Sequence, residues 1–86
     1  MQPNNTIQTL DIPANLTPNT QEWLQAVFNA ANATARRAMD EAEALPPAEF
    51  LRRYRREFKP VIDAHNATAS WALEKMRQHQ QQNAAC

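Results

Sequence analysis

The chain has 86 residues, a formal net charge of zero and 43% hydrophobic residues, which predicts a single small folded domain. Zero net charge gives no general attraction to polyanions, so nucleic-acid binding would depend on a local patch. Glycine is absent and alanine is abundant. Tight β-hairpin turns rely on glycine and alanine favours helix, so composition excludes most all-β folds and predicts an all-α protein.

The only cysteine is Cys86, so no internal disulfide can form, and this favours a reducing, cytoplasmic setting. We find no signal peptide and no apolar run of membrane-spanning length, so we expect no membrane association. Arginine outnumbers lysine by seven to two. With the alanine content, this ratio is typical of a GC-rich bacterial or phage genome.

Residues 1–18 form the first segment, which contains three prolines and many Asn and Thr residues. Proline interrupts regular structure, so we predict an extended N-terminal arm and no helix here. The arm nevertheless carries four aliphatic side chains, which are Ile7, Leu10, Ile12 and Leu16. It is therefore either a loose terminus or a segment that docks on its own helices or on another chain, and we favour docking.

A first long helix is predicted from about Thr20 to Leu45. Asn19 is a favourable N-cap, Glu22 follows three residues later as in a capping box, and the pair of prolines at 46–47 stops the helix. Its apolar residues recur at helical spacing. They are Leu24, Phe28, Ala31, Ala35, Ala38, Ala42 and Leu45.

A second helical arm is predicted to begin near Pro47, because proline is tolerated in the first turn of a helix. Phe50, Leu51, Tyr54 and Phe58 fall on one arc of about 100°. Pro60 removes a backbone donor, so we expect a kink or the start of a third helix there. The helical domain spans 19–82, and we expect residues 83–86 to fray.

The turn at 46–47 predicts an antiparallel helical hairpin in which the numbers of facing residues sum to about 92. In this register Ala42 faces Phe50 and Ala38 faces Tyr54. Large side chains then meet small ones, as in close-packed interiors. The same register places Val61 opposite Ala31, Ala64 opposite Phe28 and Thr68 opposite Leu24.

Two helices cannot bury all their apolar surface, so we expect partly exposed patches that mark an interface. The side chains left over in the hairpin are Trp23, Val27, Met39, Trp71, Leu73 and Met76. Candidate partner-binding or oligomer residues are Ile7, Leu10, Ile12, Trp23, Val27, Trp71 and Met76. A homo-oligomer, such as a dimer forming a four-helix bundle, and a heteromeric complex both satisfy this pattern.

Residues 49–60, EFLRRYRREFKP, contain four arginines and one lysine. On a helical wheel the aromatic side chains hold one side and a basic arc lies opposite. The candidate basic face is Arg52, Arg55, Arg56 and Lys59, with Arg36 and Arg37 brought level with it by the hairpin register. We expect Glu49 and Glu57 to compensate Arg53, and Asp40 and Glu41 to offset Arg52.

The basic face admits three interpretations: a solvated helix surface, a docking patch for an acidic protein partner, or a phosphate-binding patch. Surface ion pairs contribute little to stability, which makes the first interpretation a simple one. Because the net charge is zero and no recognised nucleic-acid module is present, we favour protein docking over phosphate binding. The interleaved aromatic side chains are expected to point to the core.

Residues for catalysis or metal binding are sparse. His65, His79 and Cys86 match no zinc spacing, and we expect His65 to be a packed histidine on the inner helix face. Ser70 is the only serine, and a phosphate-cradling loop needs the glycine that this chain lacks. We therefore predict no catalytic residues, no metal site and no cofactor.

Two segments echo each other, VFNAANATARRAM at 27–39 and VIDAHNATASWAL at 61–73, with an offset of 34 and no gap. Two copies are too few for a solenoid, so chance or an old duplication explains the echo.

The function predicted from these observations is a non-enzymatic helical interaction module: an inhibitor, adaptor or assembly subunit that occupies a partner surface. The alternative is a small nucleic-acid-binding protein using the basic face of the second helix. A purely structural homodimeric bundle is a third hypothesis.

Overall fold

The computed structural model describes residues 4–84, with the side chains of residues 5–81. It is a helical hairpin preceded by a short arm, and the described residues contain no strand. The helices are α1 (Asn4–Gln8), α2 (Gln21–Glu43), α3 (Pro47–Arg53) and α4 (Lys59–Ala84), with a π-helical segment, π1 (Tyr54–Phe58), between α3 and α4. The prediction of an all-α hairpin is confirmed.

The N-terminal arm is not wholly extended. Residues Asn4–Gln8 form the one-turn helix α1, and residues 9–20 continue as turns and irregular chain. The prediction that no helix forms in the arm is therefore wrong for this one turn. The reason is that Pro3 and Pro13 leave a proline-free stretch between them, long enough for a single helical turn.

Helix α2 begins one residue later than predicted. The N-cap is Thr20, whose Oγ1 accepts a hydrogen bond from the backbone N–H of Trp23 at 3.2 Å. Asn19, the predicted cap, instead adopts a left-handed conformation with φ of 71°. Asparagine tolerates that conformation better than threonine, so the two residues divide the tasks of turning the chain and capping the helix.

The second arm runs through α3, π1 and α4 without a break in helical structure. In π1 the backbone N–H of Lys59 donates to the carbonyl of Tyr54, five residues earlier. This wider turn lies immediately before Pro60, which has no N–H and whose ring would crowd an α-helical carbonyl four residues earlier. The irregularity expected at Pro60 is thus a π-helical turn preceding it.

A π-turn holds more residues than an α-turn, so it shifts the register of the residues directly beyond it. Ile62 is 6% exposed, whereas Val61, predicted to face Ala31, is 39% exposed and Ala64 is exposed. The first inward position of α4 therefore lies one residue later than a uniform α-helix predicts. Further along α4, His65 and Thr68, both predicted to lie inward, are buried.

The core consists of two clusters along the hairpin. Near the turn, buried Ala35, Ala38 and Ile62 pack with Met39, Tyr54 and Phe58. Near the open end the core is built from larger side chains. There, buried Trp23, Leu24, Val27, Ala72 and Met76 pack with Phe28, Trp71 and the four aliphatic side chains of the arm.

The molecule is a rod of 56 × 25 × 20 Å, with a Cα radius of gyration of 15.4 Å. A compact domain of this length would have a radius of gyration of about 12 Å. The elongation follows from packing only two long helices side by side. No helix in the described part of the chain is long and apolar enough to cross a membrane.

Candidate functional site

The hairpin turn carries a mixed apolar and basic surface, which we call the tip patch. Six residues of α3 and π1 line a shallow groove of about 380 Å³ there. They are Phe50, Leu51, Arg52, Tyr54, Arg55 and Arg56. The patch includes three of the four residues of the predicted basic face and adds three apolar side chains to them.

Leu51 is the apolar centre of the tip patch, with 79% of its surface exposed. The prediction placed Leu51 on the inner arc with the aromatic residues, and this is wrong. A single helix, α2, faces the second arm, and Tyr54 and Phe58 pack on the cluster beneath it. Leu51 stands about 100° around the helix from Phe50 and so lies outside that narrow contact.

Two aromatic rings form the wall beside Leu51. Phe50 and Tyr54 are stacked with ring centroids 4.9 Å apart and an interplanar angle of 22°, and both side chains are half-buried. Offset stacked pairs of this kind hold the rings in a defined geometry. The apolar part of the tip patch is therefore preformed on a helix.

Ion pairs neutralise part of the basic face. Arg52 pairs with Glu49, and Lys59 Nζ lies 2.7 Å from the Asp63 carboxylate. Arg52 was expected to be offset by Asp40 and Glu41, but its carboxylate partner is on its own helix, because residues three apart on a helix are neighbours.

Arg53 pairs with Glu57 at 2.9 Å, as expected, although Glu49 does not join this pair. The guanidinium also lies 5.7 Å from the centroid of the Phe58 ring. The hydrogen bond from Arg53 holds the pKa of the Glu57 carboxyl below its ordinary value and raises the pKa of Arg53 itself. In the same way, the hydrogen bond to Asp63 raises the pKa of Lys59.

Arg55 and Arg56 are the two tip-patch cations that form no ion pair within the described residues. Both are exposed. The patch therefore presents uncompensated positive charge directly beside Leu51. Arg36 and Arg37 are exposed too, but neither lines the tip patch, and Arg36 lies at a different groove between α2 and α4.

The apolar residues proposed for an interface are largely covered by the arm. Ile7, Leu10, Ile12 and Leu16 pack against the cluster that contains Trp23, as the docking alternative predicted. Of the residues expected to be partly exposed, Trp23 and Met76 are 6% exposed and Val27 is fully buried. That expectation is wrong for these three, because the arm supplies the third layer that a two-helix hairpin lacks.

Trp71 is half-buried beside Trp23, with ring centroids 6.2 Å apart and an edge-to-face angle of 89°. Of the predicted apolar interface residues on α2 and α4, it is the one that is not buried. Two other residues were expected to be partly exposed. Met39 is half-buried, and Leu73 is 39% exposed.

A second, larger groove of about 690 Å³ opens between α2 and α4, and we call it the amide groove. Its lining residues are Asn32, Ala33, Ala35, Arg36, Met39, Ile62 and Asn66. Asn32 and Asn66 hold equivalent positions in the two echoing segments. The repeat is visible in the sequence, but the position of both amides at one groove is not predictable from it.

A pair of threonines at equivalent positions of the two similar segments makes the same hydrogen bond. Thr34 Oγ1 donates to the carbonyl of Ala30, and Thr68 Oγ1 donates to the carbonyl of Ala64, both at 2.9 Å. Each hydroxyl therefore has its hydrogen-bond acceptor within its own helix, at the carbonyl four residues earlier.

His65 is 8% exposed, and its Nδ1 donates to the carbonyl of Val61 at 2.8 Å, as expected of a packed histidine on the inner face. Within residues 5–81, no group of three or more His, Cys, Asp or Glu side chains is placed to hold a metal ion. Cys86 lies outside the described residues. The helix α4 continues to Ala84, two residues into the tail that we expected to fray.

The fold and the two grooves define an all-α hairpin with a docked N-terminal arm. Comparison with known proteins gives no match, whether with family models, curated protein sequences or solved structures. The function of the protein is therefore inferred from the chemistry of its surface.

Proposed function

We propose that this protein is a non-enzymatic interaction module that occupies the surface of a protein partner through its tip patch. The observation that supports the proposal is Leu51, which is 79% exposed and lies beside Arg55 and Arg56. A contiguous apolar patch rimmed by polar residues is typical of an interface, and Leu51 forms such a patch with the half-buried Phe50 and Tyr54. Inhibitors, adaptors and assembly subunits all act by this kind of docking.

The chemistry of the tip patch indicates the chemistry of its partner. Leu51 and the edges of Phe50 and Tyr54 require an apolar recess, and the two unpaired arginines require carboxylates around it. Arginine and aromatic residues are the side chains that most often carry binding energy at protein interfaces. The partner surface is therefore an apolar pocket with an acidic rim, within a cytoplasmic protein if the single cysteine reflects a reducing compartment.

The alternative is binding of nucleic acid by the same arginines. Phosphate contacts need cations and tolerate polar neighbours, but they gain nothing from an exposed leucine. Leu51 thus discriminates between the two functions. Its loss weakens docking to a protein pocket and leaves phosphate binding unchanged.

The test compares three variants with the wild type: Leu51→Ser, Arg55→Gln/Arg56→Gln, and Arg37→Gln/Arg77→Gln. The last is the matched control, because it also removes two exposed positive charges but takes them from residues that do not line the tip patch. Immobilised protein captures partners from a bacterial lysate with and without nuclease, and salt titrations follow with each purified partner. Binding to labelled duplex DNA and single-stranded RNA is measured in parallel.

We expect a nuclease-resistant protein partner whose affinity falls by about ten-fold or more with Leu51→Ser and with Arg55→Gln/Arg56→Gln, but little with the control. The association rate of the wild type should fall with salt. Sub-micromolar binding to DNA or RNA at near-physiological salt contradicts the proposal if it is insensitive to Leu51→Ser. In that case the slope of log K against log salt should shrink by about two units in Arg55→Gln/Arg56→Gln.

A further inference from the structure

The amide groove lies on a part of the hairpin that is not lined by any arm residue within 5–18. Its lining residues are all from α2 and α4, whereas the arm packs on the Trp23 cluster at the open end. Leu73 is two helical turns beyond Asn66 on the same side of α4 and is 39% exposed. Together with Met39 and Ile62, it gives this face an apolar component among its amides.

Charges alternate along both edges of this face. Because the helices are antiparallel, Arg36 and then Asp40 approach the hairpin turn along α2, while Asp63 and then Lys59 approach it along α4. Asn32 and Asn66 line the groove further from the turn, and Arg36 and Ile62 line it nearer to the turn. Counting helical turns from Asn32 and Asn66 toward the hairpin turn pairs Arg36 with Asp63 and Asp40 with Lys59, and each pair is opposite in charge.

We propose that the amide groove is the interface between two copies of this chain, related by a two-fold axis parallel to the helices. In this arrangement α2 of each copy lies on α4 of the other copy. Asn32 then meets Asn66 of the second copy, and Arg36 meets Asp63 of the second copy. Asp40 meets Lys59 of the second copy, and the symmetry repeats each contact.

The arrangement agrees with helix packing rules. Each helix then has only antiparallel neighbours, as in an up-down four-helix bundle. Paired amides satisfy each other's donors and acceptors, and Lys59 with Asp63 joins Arg36 and Asp40 in an alternating network. Met39 of both copies supplies the apolar centre, whereas Ile62 is already buried within its own hairpin. An antiparallel stack centred on the same amides would oppose Asn32 to itself and Arg36 to Phe28, without this charge match.

The available surface is sufficient for an interface. A rod of 56 by 25 Å can supply the roughly 800 Å² per partner that a standard interface buries. Because the groove is rich in amides and charges, we expect a weak dimer with a dissociation constant of about 1–100 µM. The two tip patches lie at the same end of this dimer, so the dimer can present both to one partner assembly.

The oligomeric state of the full chain tests the proposal, measured by sedimentation equilibrium up to about 500 µM, well above the expected dissociation constant. We expect the wild type to reach twice the chain mass of 9.8 kDa. Asn66→Arg and Arg36→Asp should each weaken the dimer by about ten-fold or more, because each buries an unmatched charge. Ala67→Arg, an exposed neighbour that does not line the groove, is the matched control and should leave the dimer intact.

A charge swap separates a specific contact from general disruption. Arg36→Asp combined with Asp63→Arg should restore the dimer that Arg36→Asp alone weakens. Circular dichroism confirms that each variant is folded. A wild type that remains monomeric to about 500 µM overturns the proposal, as does a dimer that tolerates Asn66→Arg or is not restored by the swap.

Cross-linking tests the arrangement of the helices, in a chain where Cys86→Ser removes the native thiol. Mixed Asn32→Cys and Asn66→Cys chains should form a disulfide-linked dimer, whereas Asn32→Cys alone should not. Efficient linkage of Asn32→Cys to itself contradicts the proposed two-fold axis.

Discussion

Small side chains allow the two long helices to approach each other. Ala31, Ala35, Ala38 and Ala42 recur on the inner side of α2, and all are at most 9% exposed. Opposite them near the turn lie larger side chains, including Tyr54, Phe58 and Ile62. Close-packed interiors have little free volume. The small alanine side chains therefore leave the room that the larger side chains of the second arm fill.

The substitution Ala38→Leu tests this packing. The added methyl and methylene groups would overlap Tyr54 or Phe58, and we expect a loss of about 1–3 kcal/mol in the free energy of unfolding. Chemical denaturation followed by circular dichroism measures the change. Ala67→Leu, at an exposed helical position, is the control and should change stability by less than about 0.5 kcal/mol. Equal denaturation midpoints for Ala38→Leu and the wild type would contradict close packing at Ala38.

At the scale of secondary-structure elements, the ends and the irregular turn of the helices decide which residues point inward. Thr20 is the N-cap of α2, and the π-turn at Tyr54–Phe58 displaces the first inward position of α4 by one residue. As a result Ile62 enters the core and Val61 faces outward. One additional residue in a turn therefore changes the composition of both the core and the surface.

Removal of the N-cap by Thr20→Ala tests the start of α2. The Trp23 amide would lose its acceptor at the beginning of the helix, and we expect a loss of about 0.5–2 kcal/mol. Thermal or urea unfolding measures it. Thr17→Ala is a suitable comparison, since Thr17 is an exposed threonine of the same segment whose side chain makes no hydrogen bond within the described residues. Identical stabilities for the two variants would contradict capping by Thr20.

At the scale of the whole molecule, the arm turns a thin hairpin into a stable domain. Two helices alone would leave the Trp23–Trp71 region exposed, and the aliphatic arm residues pack there. Small domains bury little surface and depend on such additional layers. The covered end and the open amide groove therefore have different roles: the first serves stability and the second is free for association.

The role of the arm predicts the behaviour of Leu16→Ala. Leu16 is half-buried against the Trp23 cluster, so we expect a loss of roughly 1–2 kcal/mol, below that of a fully buried leucine. Tryptophan fluorescence should shift to the red, and acrylamide quenching should increase. Asn15→Ala, at the exposed neighbouring position, should leave both unchanged. A Leu16→Ala protein with wild-type fluorescence and stability would show that the arm does not cover the tryptophans.

The sequence by itself determined the helical class, the hairpin and the positions of most helix ends. These features depend on local signals: absent glycine, the proline pair at 46–47, and apolar residues at helical spacing. The inner face of α2 was predictable for the same reason, because α2 is a regular helix from end to end. The basic character of residues 49–60 and the Arg53–Glu57 pair were equally predictable, although the partners of Arg52 and Lys59 were not.

Only the tertiary structure decided which surfaces remain open. The π-turn before Pro60 depends on how the chain relieves a backbone conflict, and no sequence period encodes its one-residue shift. Burial of Trp23 and exposure of Leu51 depend on where the arm docks and on how narrow the contact with α2 is. The amide groove needs two residues 34 positions apart to be brought together by the antiparallel hairpin. Such long-range contacts arise from packing of the whole chain, which is why local patterns do not predict them.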